Sequence, residues 1–129
     1  MLKREYFTEE EMTCKCGCGR CDMDEEFMGE LDRLRRVLGF PFPVTSGFRC
    51  PEHNMAVAHS GPDGPHTTGR AVDIHVHGKE ALALIRLAAL SNFFTGFGIM
   101  QRGPHAGRFI HLDNLSRGER AGRPNVWSY

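Results

Sequence analysis

The sequence has no excess of either charge: 16 Lys and Arg stand against 16 Asp and Glu in 129 residues. Nucleic-acid binding and polybasic membrane association both need a surplus of positive charge, so neither is expected. There is no long hydrophobic run. The most apolar stretch, Ala81 to Met100, is broken by Arg86, Ser91, Asn92 and two glycines, which excludes a membrane span. The N-terminus, MLKREYFTEEEM, lacks an apolar core and a small-residue cleavage site, so no secretory signal is expected. That reading leaves the chain in the cytoplasm as synthesised, acting elsewhere only if released or carried. Repeats and low-complexity tracts are also missing. With 25% charged and 40% AVILMFWYC residues the composition is that of an ordinary globular chain, and 129 residues fit a single domain. What is plentiful is metal-ligand chemistry: seven His and five Cys.

Periodicity gives an α+β reading. Asp24 can cap a helix that starts with Glu25 and Glu26 and ends with Arg33, Arg35 and Arg36, charges that suit the two ends of the helix dipole. Phe27, Leu31, Leu34 and Leu38 form its apolar stripe, and Gly39 ends it. Phe42–Ser46 reads as a strand, and Pro51–Ala58 as a short helix with Pro at its start. Ser60–Pro65 is loop, Ala71–Val76 a strand, and Lys79–Leu90 a second main helix. Thr95–Met100 and Arg108–Leu112 read as further strands. The expectation is two main helices and a small antiparallel sheet of three or four strands. Phe7 and Met12 are candidate anchors for the charged N-terminal segment.

Three residues carry candidate chemistry. His66 ends a Gly/Pro loop, Asp73 falls in a strand seven residues later, and His111 falls in the strand FIHLD. Two imidazoles and a carboxylate make a sound zinc set with one position left for water, whose pKa such a site lowers toward ~7. Gly69 and Ala71 between the first two allow a tight turn. On spacing alone the same residues also read as hydrogen-bonded structural polar groups.

The segments SGFRCPEHN (Ser46 to Asn54), HTTGRAVDI (His66 to Ile74) and FIHLD (Phe109 to Asp113) together resemble the zinc D-Ala-D-Ala carboxypeptidases. These are peptidoglycan peptidases that share their fold with the hedgehog signalling domain. The likeness is nearest to their small single-domain bacterial and phage branch. It implies a zinc metallopeptidase that hydrolyses peptidoglycan stem or cross-bridge peptides beside a D-amino acid. It places His66, Asp73 and His111 on the zinc ligands. Arg49 falls on an arginine able to hold a substrate carboxylate or an oxyanion. Ser46 matches the motif's serine, either as a substrate contact or as a strand-end residue satisfying the backbone.

Two departures from the family pattern stand out. Relatives often carry Ser two residues before the first ligand, where this chain has Gly64. Many place a general base two or three residues before the last ligand, where this chain has Phe109 and Arg108. Asp113 is the preferred substitute base, because strand alternation puts it on the face of His111. His105 in the RGPHAG loop is the second candidate. The missing base keeps alive a rival reading, a zinc-bearing binding or structural module without turnover, as the hedgehog relatives illustrate. His75 alternates with Asp73 and either faces the site or is buried and hydrogen-bonded. Trp127 and Tyr129 are read as a tail packed on the core or as a substrate wall.

The cysteines pose a separate question. Cys14, Cys16, Cys18 and Cys21 are spaced C-x-C-x-C-x-x-C, and Cys50 follows the SGFR motif directly. They can hold a second, structural metal ion, form a disulfide to Cys50 outside the cell, or remain free buried thiols.

Overall fold

A computed structural model describes residues 1–120 and 122–129. The elements run α1 (Glu9–Met12), α2 (Glu25–Leu38), β1 (Val44–Ser46), α3 (Pro51–Val57), β2 (Ala71–Ile74), α4 (Gly78–Leu90), β3 (Gly96–Met100), β4 (Phe109–Asp113) and β5 (Asn125–Ser128). Short 3-10 turns lie at Gly61–Asp63, Pro65–Thr68 and His105–Gly107. No helix among the described residues is long and apolar enough to cross a membrane.

Helix α2 has the ends its sequence encodes. The Asp24 carboxylate accepts the Phe27 N–H at 2.9 Å, and Gly39 closes the helix in the left-handed conformation at φ 75°. Its stripe of Phe27, Leu31 and Leu34, with Met28, is fully buried. These side chains share one core with Ala81, Leu84 and Ala88 of α4 and with Val72, Ile74, Ile110 and Leu112 of the sheet. Phe27 sits edge-on to Phe94, ring centroids 5.7 Å apart. The N-terminal anchors are real: Phe7 and Met12 are buried. Between them α1 forms, although it was not expected. Thr8 and Glu11 build a reciprocal capping box that supports even a single turn.

The five strands form one sheet in the order β1-β2-β4-β3-β5. Pairing is antiparallel except between β3 and β5, which is parallel. The α+β architecture is therefore as expected, with β5 added as an edge strand. Its residues are mostly exposed, so no alternation of apolar and polar residues marks it in the sequence. One face of the sheet carries the core residues. The other carries Ala71, Asp73, Gly96, Gly98, His111 and Asp113, since alternate side chains point to opposite faces.

Phe27→Ala removes a fully buried ring and is expected to cost about 3–5 kcal/mol in urea denaturation. Leu90→Ala, at a position 74% exposed, should stay within about 0.5 kcal/mol.

Candidate active site

Strand register builds the site. Asp73 on β2 stands directly opposite His111 on β4. Ser46 pairs with Asp73 on one side, and Gly98 pairs with His111 and Trp127 on the other. One cross-strand row thus runs Ser46, Asp73, His111, Gly98, Trp127. Gly98 has no side chain, and none would fit. A Cβ there would lie 2.8 Å from the Trp127 Nε1 and Tyr129 hydroxyl and 2.9 Å from His111 Cβ. The empty position lets the aromatic side chains reach over β3 toward His111, with Trp127 and His111 ring centroids 5.2 Å apart.

His66 arrives from the turn before β2. Gly69, at φ 73°, closes that turn, and a Cβ there would meet the Asp22 carbonyl at 1.9 Å. The glycine is therefore required by the close passage of the 22–24 segment, whose Asp24 N–H donates to the Gly69 carbonyl at 2.9 Å. His66 Nδ1 lies 2.8 Å from the Gly47 carbonyl. A carbonyl only accepts, so Nδ1 donates to it, and Nε2 faces Asp73, 3.3 Å from its Oδ1. His111 Nδ1 approaches the same oxygen at 3.0 Å. The far nitrogen, Nε2, donates to Asp113 at 2.8 Å.

The three donors fit a zinc ion. They lie within 4.8 Å of one another. Tetrahedral ligands at about 2.1 Å from zinc are about 3.4 Å apart, close to the two separations seen. The outer nitrogen of each imidazole is tied to an acceptor, which fixes the ring's orientation. The local electrostatics favour a cation here. Burial works against ionised Asp73, yet the His66 charge and hydrogen bonds from both imidazoles hold its carboxyl far below the usual range. Burial likewise disfavours charged His111, but Asp113 and Asp73 together raise its pKa.

Asp113, the expected general base, is held on two sides. Asp113 shares the face of His111, as alternation requires, but it lies behind the imidazole and is fully buried. Both its oxygens are engaged by Arg123, at 2.9 and 2.7 Å, and one also accepts from His111. Burial raises its pKa, but His111 and Arg123 outweigh that and bring it down to about 2. Both oxygens of this carboxylate are thus occupied by hydrogen bonds from His111 and Arg123. Its charged partner is Arg123. Arg123 in turn lies 4.7 Å from the Trp127 ring centroid. His105, the second candidate, lies in the 3-10 turn His105–Gly107. It is exposed, stacks on His77 at 4.1 Å, and is not among the residues lining the cleft. His75 is tied to the Arg108 carbonyl at 2.8 Å.

Above the donors opens a cleft of about 590 Å³. Arg49 lines it, held by two acceptors: Asn54 Oδ1 and Ser46 Oγ, each at 2.9 Å. Ser46 therefore positions Arg49, and its hydroxyl is not among the cleft-lining groups. Asn54 is fully buried and donates to Ser60 Oγ at 2.9 Å and to the Gly61 carbonyl. The departure at Gly64 has its explanation here. A Cβ at 64 would fall 2.3 Å from Ser60 Oγ, so the Ser60 hydroxyl fills the space a side chain would need. Trp127 and Tyr129 both line the cleft, which makes the C-terminal aromatics a wall. His59 also lines it from an exposed position. Of the cysteines, Cys14, Cys16, Cys18 and Cys50 cluster apart from the cleft lining.

Arg123→Ala would leave the Asp113 carboxylate buried and half unpaired. The expected loss is about 3–5 kcal/mol of stability by urea denaturation, together with weaker zinc retention on dialysis, since His111 loses its orienting partner.

The model of the Peptidase M15 family matches residues 5–113, a span that includes His66, Asp73, His111, Arg49 and the cysteine run. No curated protein matches the chain. Since the family match covers most of the chain, the protein belongs to the Peptidase M15 family of zinc-dependent metallopeptidases.

Proposed function

We propose that the protein hydrolyses peptidoglycan stem or cross-bridge peptides beside a D-amino acid. The observation that carries this reading is the convergence of His66 Nε2, Asp73 Oδ1 and His111 Nδ1 with Arg49 on the cleft that opens above them. The likeness of the three sequence motifs to zinc D-Ala-D-Ala carboxypeptidases supports the substrate class.

A zinc ion held by these donors supplies a Lewis acid and an activated water. The remaining roles fall to the chain. Arg49 presents a guanidinium whose two outer nitrogens are anchored by Asn54 and Ser46, so it meets a substrate carboxylate or a developing oxyanion with little reorganisation. Asp113 and the Gly47 carbonyl keep the two imidazoles aimed at the convergence point. Trp127 and Tyr129 offer an apolar wall for the peptide. Outside the donor set, His59 is the one imidazole lining the cleft among the described residues. It is the side chain available to accept the proton of the attacking water.

The test is a stem pentapeptide ending in D-Ala-D-Ala and an insoluble wall preparation, each incubated with zinc-loaded protein and followed by mass spectrometry. Product release is expected, abolished by a chelator and restored by zinc. Arg49→Ala should lower kcat/KM by about 100-fold, in line with loss of a buried charge-assisted contact, while leaving zinc content unchanged. His59→Ala should lower kcat by about 100-fold, the scale of a lost general base, while leaving zinc content unchanged. Zinc-loaded, folded protein that leaves both substrates intact would overturn the reading in favour of a metal-bearing binding module.

A further inference from the structure

We propose that Cys14, Cys16, Cys18 and Cys50 hold a structural zinc ion, separate from the His66–Asp73–His111 centre, that staples the N-terminal loop to the start of α3. The four sulfurs lie within 4.8 Å of one another. Cys16 Sγ is 3.5 Å from Cys14 Sγ and 3.7 Å from Cys50 Sγ. A tetrahedron with zinc–sulfur bonds of about 2.3 Å has edges of about 3.8 Å, so the thiols already stand at ligand spacing. All five cysteines are free.

The loop is shaped for this convergence. Gly17 and Gly19 take positive φ, 89° and 79°, conformations that L side chains rarely adopt. They turn a C-x-C-x-C run back on itself, so that alternate residues which would otherwise spread along an extended chain face one point. Backbone N–H groups are directed at the sulfurs. Cys50 N–H points to Cys14 Sγ at 3.3 Å, His53 N–H to Cys50 Sγ at 3.4 Å, and Arg20 N–H to Cys18 Sγ at 3.5 Å. Such donors stabilise thiolates, the form that binds metal. An all-thiolate tetrahedral set favours zinc over the hard cations. Binding displaces the thiol protons to solvent and leaves the ion's charge unchanged.

Cys21, which the spacing groups with the others, is not part of the site. Its Sγ lies 3.6 Å from the Glu9 carbonyl, outside the cluster. The ligand from a distance is Cys50, which caps α3 and directly follows Arg49. An ion here therefore fixes the loop 14–21 against the segment that carries the cleft arginine.

The experiment removes the other zinc first. His66→Ala/His111→Ala protein, purified under reducing conditions and checked by circular dichroism, should still contain about one zinc per chain by elemental mass spectrometry. Its cobalt-substituted form should show an intense sulfur-to-cobalt charge-transfer band in the near ultraviolet. Adding Cys18→Ser should abolish both, whereas adding Cys21→Ser should change neither. If the double variant does not fold, the unmodified chain decides: about two zinc ions and the sulfur-to-cobalt band are expected, and absence of that band in the cobalt-loaded chain overturns the proposal. Folded double variant without zinc would also overturn it, as would an intact mass showing that these cysteines have paired as disulfides.

Discussion

The register between β2 and β4 is the constraint on which the site depends. Asp73 and His111 meet because they are directly opposed residues of an antiparallel pair. Neither needs a long or flexible approach. A slip of one residue would put Val72 or Ile74 opposite His111 and turn its ring into the core. The register is strongly specified because the opposite face carries Val72, Ile74, Ile110 and Leu112, all fully buried. Burial of apolar area on one face thus fixes polar geometry on the other, and the Asp73–His111 pair inherits its precision from the core.

The site-facing surface is also shaped by what β3 lacks. Gly98 stands opposite His111, and Gly96 stands opposite Asp113. A Cβ at Gly96 would lie 2.3 Å from both Asp113 oxygens. The two glycines open a trough in which the Asp113 carboxylate and the Trp127 and Tyr129 side chains can lie. Arg123 then neutralises Asp113 and rests against Trp127, so the aromatic wall and the His111 support are one connected set. A buried ion pair of this kind does little for net stability compared with apolar packing. Its value here is orientation, because it holds a charged acceptor behind the His111 imidazole, whose other nitrogen faces Asp73.

The sequence carried the helices and the donors more plainly than the connections between them. Helix α2 was legible because its caps, dipole charges and apolar stripe all agree over 14 residues. His66, Asp73 and His111 were legible as a set through ordered motifs. The partner of Asp113 was not, since Arg123 lies in a polar tail with no apolar periodicity. Alternation put Asp113 on the correct face but could not tell a free carboxylate from one bound on two sides. The role of Ser46 was hidden for the same reason: a hydroxyl near a site reads equally as a substrate contact or as a prop for Arg49. Helix α1 was missed because four residues are too short to show a period, and only its capping pair marks it.

Five consecutive residues show how densely the connections are packed. Ser46 accepts from Arg49, and the Gly47 carbonyl accepts from His66 Nδ1. Phe48 is buried, and its N–H reaches the Met12 carbonyl at 2.9 Å. Arg49 lines the cleft, while its N–H donates to the His66 carbonyl at 3.1 Å. Cys50 caps α3 and joins the thiol cluster. Gly47 itself admits no side chain, because a Cβ there would lie 2.8 Å from Met12 Cα. The N-terminal segment, the first imidazole and the cleft arginine therefore share one stretch of backbone. Displacing that stretch moves all three together, so the order of the N-terminal loop bears directly on the geometry of a cleft it does not line.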